Sequence, residues 1–298
     1  MSLIVSAIGQ GLLWALLGVG LYLTFRILNF ADMTVEGTFP LGAAVAATAI
    51  AHGLTPWLAT LLAFGAGMLA GLVTGVLYTK CKIPILLAGI LTMTAIYSIN
   101  LRIMGQSNLS LLGLRTVFSA HGLTSLPRYF DGVFLGLLVM AIVTALLIFF
   151  LATDYGQAFI AAGDNPVMAK SLGIWPDQMI TVGLMLSNGL VALGGALIAQ
   201  NNGYADINMG IGTIVIALAS IIIGEVAFGN LTLSQRLLSI SLGSIIYRLL
   251  LLGVLQLGFS PNDLNLISSV VLAACMFLPQ LEKRVRLRHA IHRGLQHD

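Results

Sequence analysis

The sequence predicts an all-α polytopic membrane protein of about nine transmembrane helices, one of them broken or re-entrant, with a short polar helix set between two spans. Three observations carry that prediction. Of 298 residues, 58% are hydrophobic and only 8% charged, with a mean hydropathy of +0.99, whereas a soluble domain carries about 25% charged residues. Apolar runs long enough to cross a bilayer recur along the whole chain. One stretch, "AAGDNPVMAKSLGIWPDQ" at 161–178, interrupts them with Asp164, Lys170 and Asp177 and carries its own helix-ending signals.

A spanning helix needs about 20 mainly apolar residues. Runs of that kind fall at 3–25, 54–78, 84–105, 131–153, 179–200, 207–228, 236–257 and 263–281. A weaker segment, "EGTFPLGAAVAATAIAH" at 36–52, is short, contains Pro40 and follows the polar "NFADMTVE". The first run lacks a basic flank and a small-residue cleavage site and is too long for a signal-peptide core, so a retained helix is expected. Residues 1–282 then form one transmembrane domain, with a loop at 154–178, and residues 283–298 form a basic tail. Cys81 and Cys275 make no disulfide framework and no zinc-type spacing.

Charge placement sets the orientation. Lys283, Arg284, Arg286, Arg288 and Arg293 follow the last run. Basic residues directly after an apolar span mark the cytoplasmic side, and no nucleic-acid partner is expected. With every span counted, the N-terminus lies outside, and Arg26, Lys80, Lys82, Lys170 and Arg236 join the tail on the cytoplasmic side. Arg115 and Arg128 fall in the outer loop 106–130. Dropping the segment 36–52 would move residues 1–30 to the opposite side.

"GAGMLAGLVTG" places Gly67, Gly71 and Gly75 on one helix face. Such ridges let helix backbones approach closely, either inside the bundle or across a dimer seam.

The polar stretch has the grammar of a short helix with defined ends. Asn165 is a good N-cap, and Pro166 suits the first helical position, where its missing N–H costs nothing. Val167 to Leu172 continue the helix, Gly173 can take the left-handed conformation that ends it, and Pro176 prevents it from running on. "GDNPVMAKS" superficially resembles a phosphate-binding loop. However, Met168 stands where the second glycine belongs, Lys170 is displaced by one, and no strand precedes it. A nucleotide site in this chain is therefore not expected.

"GDNPVMAKSLGI" resembles the cytoplasmic loop G-x-N-P-x-A-A-x-x-x-G-I of permease subunits in ABC importers for branched-chain amino acids and ribose. Gly163, Asn165, Pro166, Ala169, Gly173 and Ile174 match it, Met168 replaces a small residue, and Asp164 and Lys170 lie within the same segment. The opening "GLLWALLGVGLYLTFRILNFADMTVEGTF" is similar to the same family's first helix and polar re-entrant segment. Among these permeases, "NFADMTVEGTFPLGA" is most similar to a subgroup associated with aromatic amino acid uptake. The resemblance implies a homodimer in the bacterial inner membrane, two cytoplasmic ATPase subunits and an extracytoplasmic substrate-binding protein. It also implies that the polar helix couples to the ATPase, that ATP and Mg are used there, and that this chain binds no cofactor. The implied cargo is an amino acid, with a sugar or nucleoside as the alternative.

Ionisable and amide groups at membrane depth are costly and are default functional candidates. "RILNFADMTVEGTFP" gathers Arg26, Asn29, Asp32 and Glu36 ahead of Pro40. Either a broken helix there presents polar groups to a substrate, or the acids sit at the interface paired with Arg26. Arg248, in "SIIYRLLLLGVL", is the most deeply embedded charge, set either to hold a carboxylate or to pair with Glu225. Asn188 is a lone amide within a span, a pathway candidate whose simpler role is to join helices. Asn100 and Arg102 near one span's outer end, and Gln200, Asn201 and Asn202 in an outer turn, are candidates for docking a delivery protein. There is no H-E-x-x-H and no G-x-S-x-G, and His52, His121, His289, His292 and His297 are scattered. An intramembrane enzyme is therefore disfavoured. An ion-coupled secondary transporter remains the rival, but it calls for several acidic groups in mid-span.

Overall fold

The computed structural model describes residues 2–119, 130–229, 231–258, 263, 266–275 and 277. The basic tail, Arg128, His121 and the three C-terminal histidines lie outside them. The helices are α1 (Ser2–Tyr22), continued by a π-helical turn (Leu23–Ile27), α2 (Val35–Ala51), α3 (Pro56–Thr79), α4 (Ile85–Met104), α5 (Phe130–Ala152), α6 (Asp154–Asp164), α7 (Pro166–Ser171), α8 (Pro176–Asn202), α9 (Thr213–Phe228) and α10 (Leu233–Gln256). A short apolar helix, α11, follows at Leu266–Cys275. Two three-residue strands, β1 (Asn108–Ser110) and β2 (Tyr204–Asp206), pair antiparallel.

Among the described residues, 7 helices are long and apolar enough to cross a membrane, and the chain is a multi-pass membrane protein. The expected spans 36–52 and 263–281 correspond to the shorter helices α2 and α11. The physical reason in α2 is its position. It packs against α8, α3 and α4 and is buried along most of its length, from Val35 to Ile50. A helix enclosed by protein needs neither lipid-matching length nor a greasy outer face. Its small residues serve close packing, which drives helix association where no hydrophobic effect operates between helices.

The glycine ridge of α3 is internal packing, not a dimer seam. Gly67 lies on the Asn188 carbonyl, Gly71 on the Leu184 carbonyl and Gly75 on Thr181, all in α8. Gly42 on Ala192 and Gly195 on the Phe39 carbonyl bring α2 equally close to α8. The α1, α9 and α10 group is tied likewise: Gly224 meets Ser239, Gly243 meets Ser220, and the Ser244 hydroxyl donates to the Gly11 carbonyl at 2.7 Å.

The polar groups sort to the two ends of the bundle. At one end, Arg26 forms two bonds to the Glu225 carboxylate, both 2.9 Å, and Lys82 pairs with Asp177 at 3.2 Å. Arg236, Lys80 and Lys170 share this end, matching the expected clustering of basic residues. The β1–β2 pair lies at the other. There Gln200 is the buried last turn of α8, bonding the Val117 amide at 3.0 Å and the Thr60 hydroxyl at 2.8 Å. It is therefore a structural residue and not a solvated turn.

Candidate functional site

The polar helix forms as its residues dictate. The Asn165 side-chain oxygen accepts from the Val167 and Met168 amides at 3.1 and 3.0 Å, capping α7 with Pro166 at its first turn. Gly173 takes φ +84° after the helix ends, and the Ile174 amide closes back on the Ala169 carbonyl at 3.0 Å. Ala169 faces inward and is buried. Outward, Val167, Leu172 and Trp175 are 80%, 66% and 70% exposed. Beside them lies an open groove of about 690 Å³ lined by Pro166, Lys170, Ile174 and Asp177 among others. Exposed apolar side chains at the polar end of a membrane protein mark an interaction surface.

Sequence reasoning missed α6, an amphipathic helix capped by the Thr153 hydroxyl, which accepts from the Gly156 amide at 3.2 Å. α6 is the seat through which α7 reaches the bundle. Gly163 lies directly against the Ile27 carbonyl at the end of the π-helical turn, where any side chain would overlap it. Phe159 and Leu28 pack together against Gly183 of α8. Asn29, in the left-handed region at φ +60°, donates its amide to the Gly163 carbonyl at 3.2 Å. Asn29 thus anchors α6 at the charged end.

Asp32 and Asn188 are likewise engaged within the fold. The Asp32 carboxylate accepts from the Thr34 amide at 2.9 Å and from the Asn188 amide at 2.7 Å. Asn188 also donates to the Leu184 carbonyl at 3.0 Å and accepts from the Thr38 hydroxyl at 2.8 Å. The Thr34 and Thr74 hydroxyls share a further bond at 2.9 Å. All five side chains are buried. Every hydrogen of the Asn188 amide is engaged, so these residues join α2, α3 and α8 and have no amide donor left for a substrate. Threonines at mid-helix in α2 and α3 were the overlooked signal.

Glu36 differs. It is half-buried and lines a cleft of about 220 Å³ with Gly37, Pro40, Met93, Thr94, Tyr97, Asn100, Ile207, Asn208 and Ile211. One of its oxygens accepts from the Gly212 amide at 3.1 Å. Pro40 deprives the Glu36 carbonyl of its helical donor, and Gly210 backs onto that carbonyl. The expected span 207–228 is present, and it opens on a short turn at Ile207–Gly210, with Gly212 at φ +78°, before α9 begins. The motif "NMGIG", with glycines two apart inside an apolar run, was the available sign. Asn100 is 1% exposed, and both atoms of its amide lack a hydrogen-bond partner among the described residues.

Neither expected pairing of the acids with Arg26 or Arg248 occurs. Glu225 belongs to Arg26, with Arg236 at 3.9 Å. Arg248 instead lies over the Trp14 ring, 4.4 Å from its centroid, and its buried Nε has no hydrogen-bond partner among the described residues. The guanidinium stacks where a membrane interior offers a π-face in place of an acid.

This architecture and chain order have known counterparts. A solved structure described as PsaBC from Streptococcus pneumoniae in complex with Fab matches with a TM-score of 0.55 over 96% of this chain and 94% of that chain, at 14% identity, which establishes a shared fold alone. A tyrosine transport system permease protein from Clostridioides difficile (strain R20291) is 42% identical over 274 residues, 92% of this chain and 90% of that protein. An uncharacterised protein of Rickettsia prowazekii is 34% identical over 91% of this chain and 96% of its own. The autoinducer 2 import system permease protein LsrC of Yersinia enterocolitica is 27% identical over 71% of this chain and 57% of its own. The family model for the branched-chain amino acid transport system / permease component matches residues 3–278. The chain belongs to that permease family.

Proposed function

We propose that this permease is the membrane-spanning subunit of an ATP-driven importer for amino acids, with tyrosine as the first cargo to test. α7 is where a separate ATPase takes hold. The observation that carries this reading is the mechanical path behind α7: α6 holds it, Gly163 is fitted against the Ile27 carbonyl, and Asn29 bonds Gly163. Those contacts reach the break between α1 and α2, a few residues before Asp32 and its bond to α8. A rigid helix with fixed ends transmits displacement along this path, whereas a loose loop would absorb it. The exposed Val167, Leu172 and Trp175 supply the apolar contact that an ATPase groove would cover.

Two copies of the chain would frame the pathway in the bacterial inner membrane, with the Lys82–Asp177 end and the C-terminus cytoplasmic. A substrate-binding protein would deliver cargo at the β1–β2 end. ATP and Mg would act only on the partner, and this chain would perform no chemistry of its own. The similarity to a tyrosine transport permease supports the cargo assignment.

The test is reconstitution of the chain with its ATPase and binding protein in liposomes. ATP-dependent accumulation of amino acid supports the proposal. Uptake that persists without any ATPase and follows an ion gradient would establish the secondary-transporter alternative instead.

A further inference from the structure

We infer that the cleft between α2, α4 and the turn before α9 is a cargo subsite for a primary ammonium group, and that the Glu36 carboxylate is the group that reads it. The inference rests on the importer reading above and deepens it at one end of the cargo.

Glu36 lies near mid-membrane, since its neighbour Gly37 packs on Met93 close to the middle of α4. Two interruptions of helix meet beside it. One is the segment 28–34 between the π-helical turn and α2, and the other is the turn Ile207–Gly210, with Gly212, ahead of α9. Gly210 lies against the Glu36 carbonyl, so the second interruption sits directly on the first turn of α2. Non-helical backbone at membrane depth is tolerated where protein buries it or where it lines a cavity. Broken helices that face each other in this way frame the substrate sites of transporters. Here they adjoin the cleft of about 220 Å³.

Among the described residues Glu36 is the one charge in the lining of that cleft, set among Pro40, Met93, Tyr97, Ile207 and Ile211. One carboxylate oxygen accepts from the Gly212 amide at 3.1 Å. No described lysine, arginine or histidine pairs with it. The other acids near membrane helices are provided for: Glu225 and Asp177 have basic partners, and Asp32 takes two donors. A carboxylate away from water is costly unless charge and donors complete it, and the second Glu36 oxygen is left for a cation that enters the cleft.

The surroundings select the kind of cation. A hard metal ion calls for about six oxygen ligands, whereas the cleft offers one carboxylate in a mainly apolar wall. A guanidinium is best met by both oxygens of a carboxylate, and the Gly212 amide already holds one of them. A primary ammonium is a compact charge that one oxygen can meet. The volume lies below the ~300–1,000 Å³ of drug-sized pockets, which suits a single small solute. Glu36 would therefore favour an amino acid over its des-amino analogue within the permease, independently of the binding protein.

The experiment uses the complete permease–ATPase complex in phosphatidylcholine proteoliposomes and amine-free buffer, so that no other primary amine competes. Cys81 and Cys275 are replaced by serine, and Ile211→Cys places a thiol at the exposed rim of the cleft. Tyrosine, tyramine and 3-(4-hydroxyphenyl)propionate are titrated against maleimide labelling of that thiol without the binding protein. ATP-driven tyrosine uptake by the same complex is measured with it. Tyrosine and tyramine, which carry the ammonium, should protect at concentrations about tenfold lower than the propionate, which lacks it. Glu36→Gln should erase that preference by weakening the two amines alone, and Glu36→Asp, which keeps the charge, should restore part of it. A carboxylate that served only to cap α9 would lower Tm on replacement and leave the ratio of amine to propionate unchanged, and that result overturns the site. Should Glu36→Gln fail to assemble, the three ligands on the protein that retains Glu36 still decide. Equal protection by the propionate, or uptake with no protection by any of the three, overturns the site and leaves the importer reading standing. Absence of ATP-driven uptake takes down the importer reading and the site with it.

Discussion

The Asn29 side chain holds the Gly163 carbonyl at 3.2 Å, across 134 positions of sequence. It joins the last turn of α6 to the point where the first membrane helix ends. The same glycine is pressed against the Ile27 carbonyl, so the junction is both bonded and sterically filled. If α7 is where an ATPase takes hold, as proposed, this junction is the contact that would carry its displacement towards the segment ahead of α2.

Gly163→Ala tests that junction. The new methyl would overlap the Ile27 carbonyl, and such overpacking costs about 1–3 kcal/mol and displaces backbone. Uptake per ATP hydrolysed should fall in reconstituted vesicles while hydrolysis itself continues. Asn29→Ala, which removes the bond without adding bulk, should give the smaller effect of the same sign.

The Asp32–Asn188 pair should behave as a structural clamp. Hydrogen bonds between membrane helices contribute on average about 0.6 kcal/mol and at most about 1.7. Asn188→Leu also strands a buried carboxylate, so its cost should exceed the bonds counted singly. Thermal unfolding of the purified complex should show a lowered Tm for Asn188→Leu. Asp32→Asn in that background should recover part of the loss, a non-additivity that measures the coupling directly.

Glu225 provides a contrast. Its partners Arg26 and Arg236 are partly exposed, and such pairs are worth about 1 kcal/mol or less. Glu225→Gln should shift Tm by only a few degrees. Molar salt should erase most of the difference, because exposed pairs are screened.

Arg248 is held by shape as well as charge. Its guanidinium stacks on Trp14 at 4.4 Å, and Trp14 in turn meets Phe39 of α2 at 5.2 Å between ring centroids. Lysine keeps the charge and loses the planar stack. Arg248→Lys should therefore lower Tm by a few degrees, a loss smaller than the full ~2 kcal/mol of a desolvated cation–π contact because an ammonium keeps the charge over the ring. Equal stability of the two proteins would show that the stack contributes nothing.

What could be read from the sequence was local. Asn165, Pro166 and Gly173 encode α7 within nine residues, and the structure reproduces each cap. The apolar runs located most of the long helices because lipid demands them. Asn29, Asp32 and Glu36 are close in sequence yet part in space. The left-handed turn at Asn29 sends its side chain to α6, Asp32 folds against α8, and Glu36 opens on the cleft beside α4. The partner of Glu225 was equally hidden. Arg26 lies 199 positions away and the bundle alone brings the two together. The break before α9 was overlooked since hydropathy runs on unbroken through Gly210 and Gly212, while the backbone turns at both.

In the proposed importer, α7 transmits work done on ATP elsewhere. Its most direct test is Gly173→Pro in the reconstituted transporter, comparing ATP hydrolysis with uptake in the same vesicles. Proline cannot adopt the φ of +84° that ends the helix, so hydrolysis should continue with uptake lost. Uptake that stays coupled to hydrolysis at the wild-type ratio would contradict it.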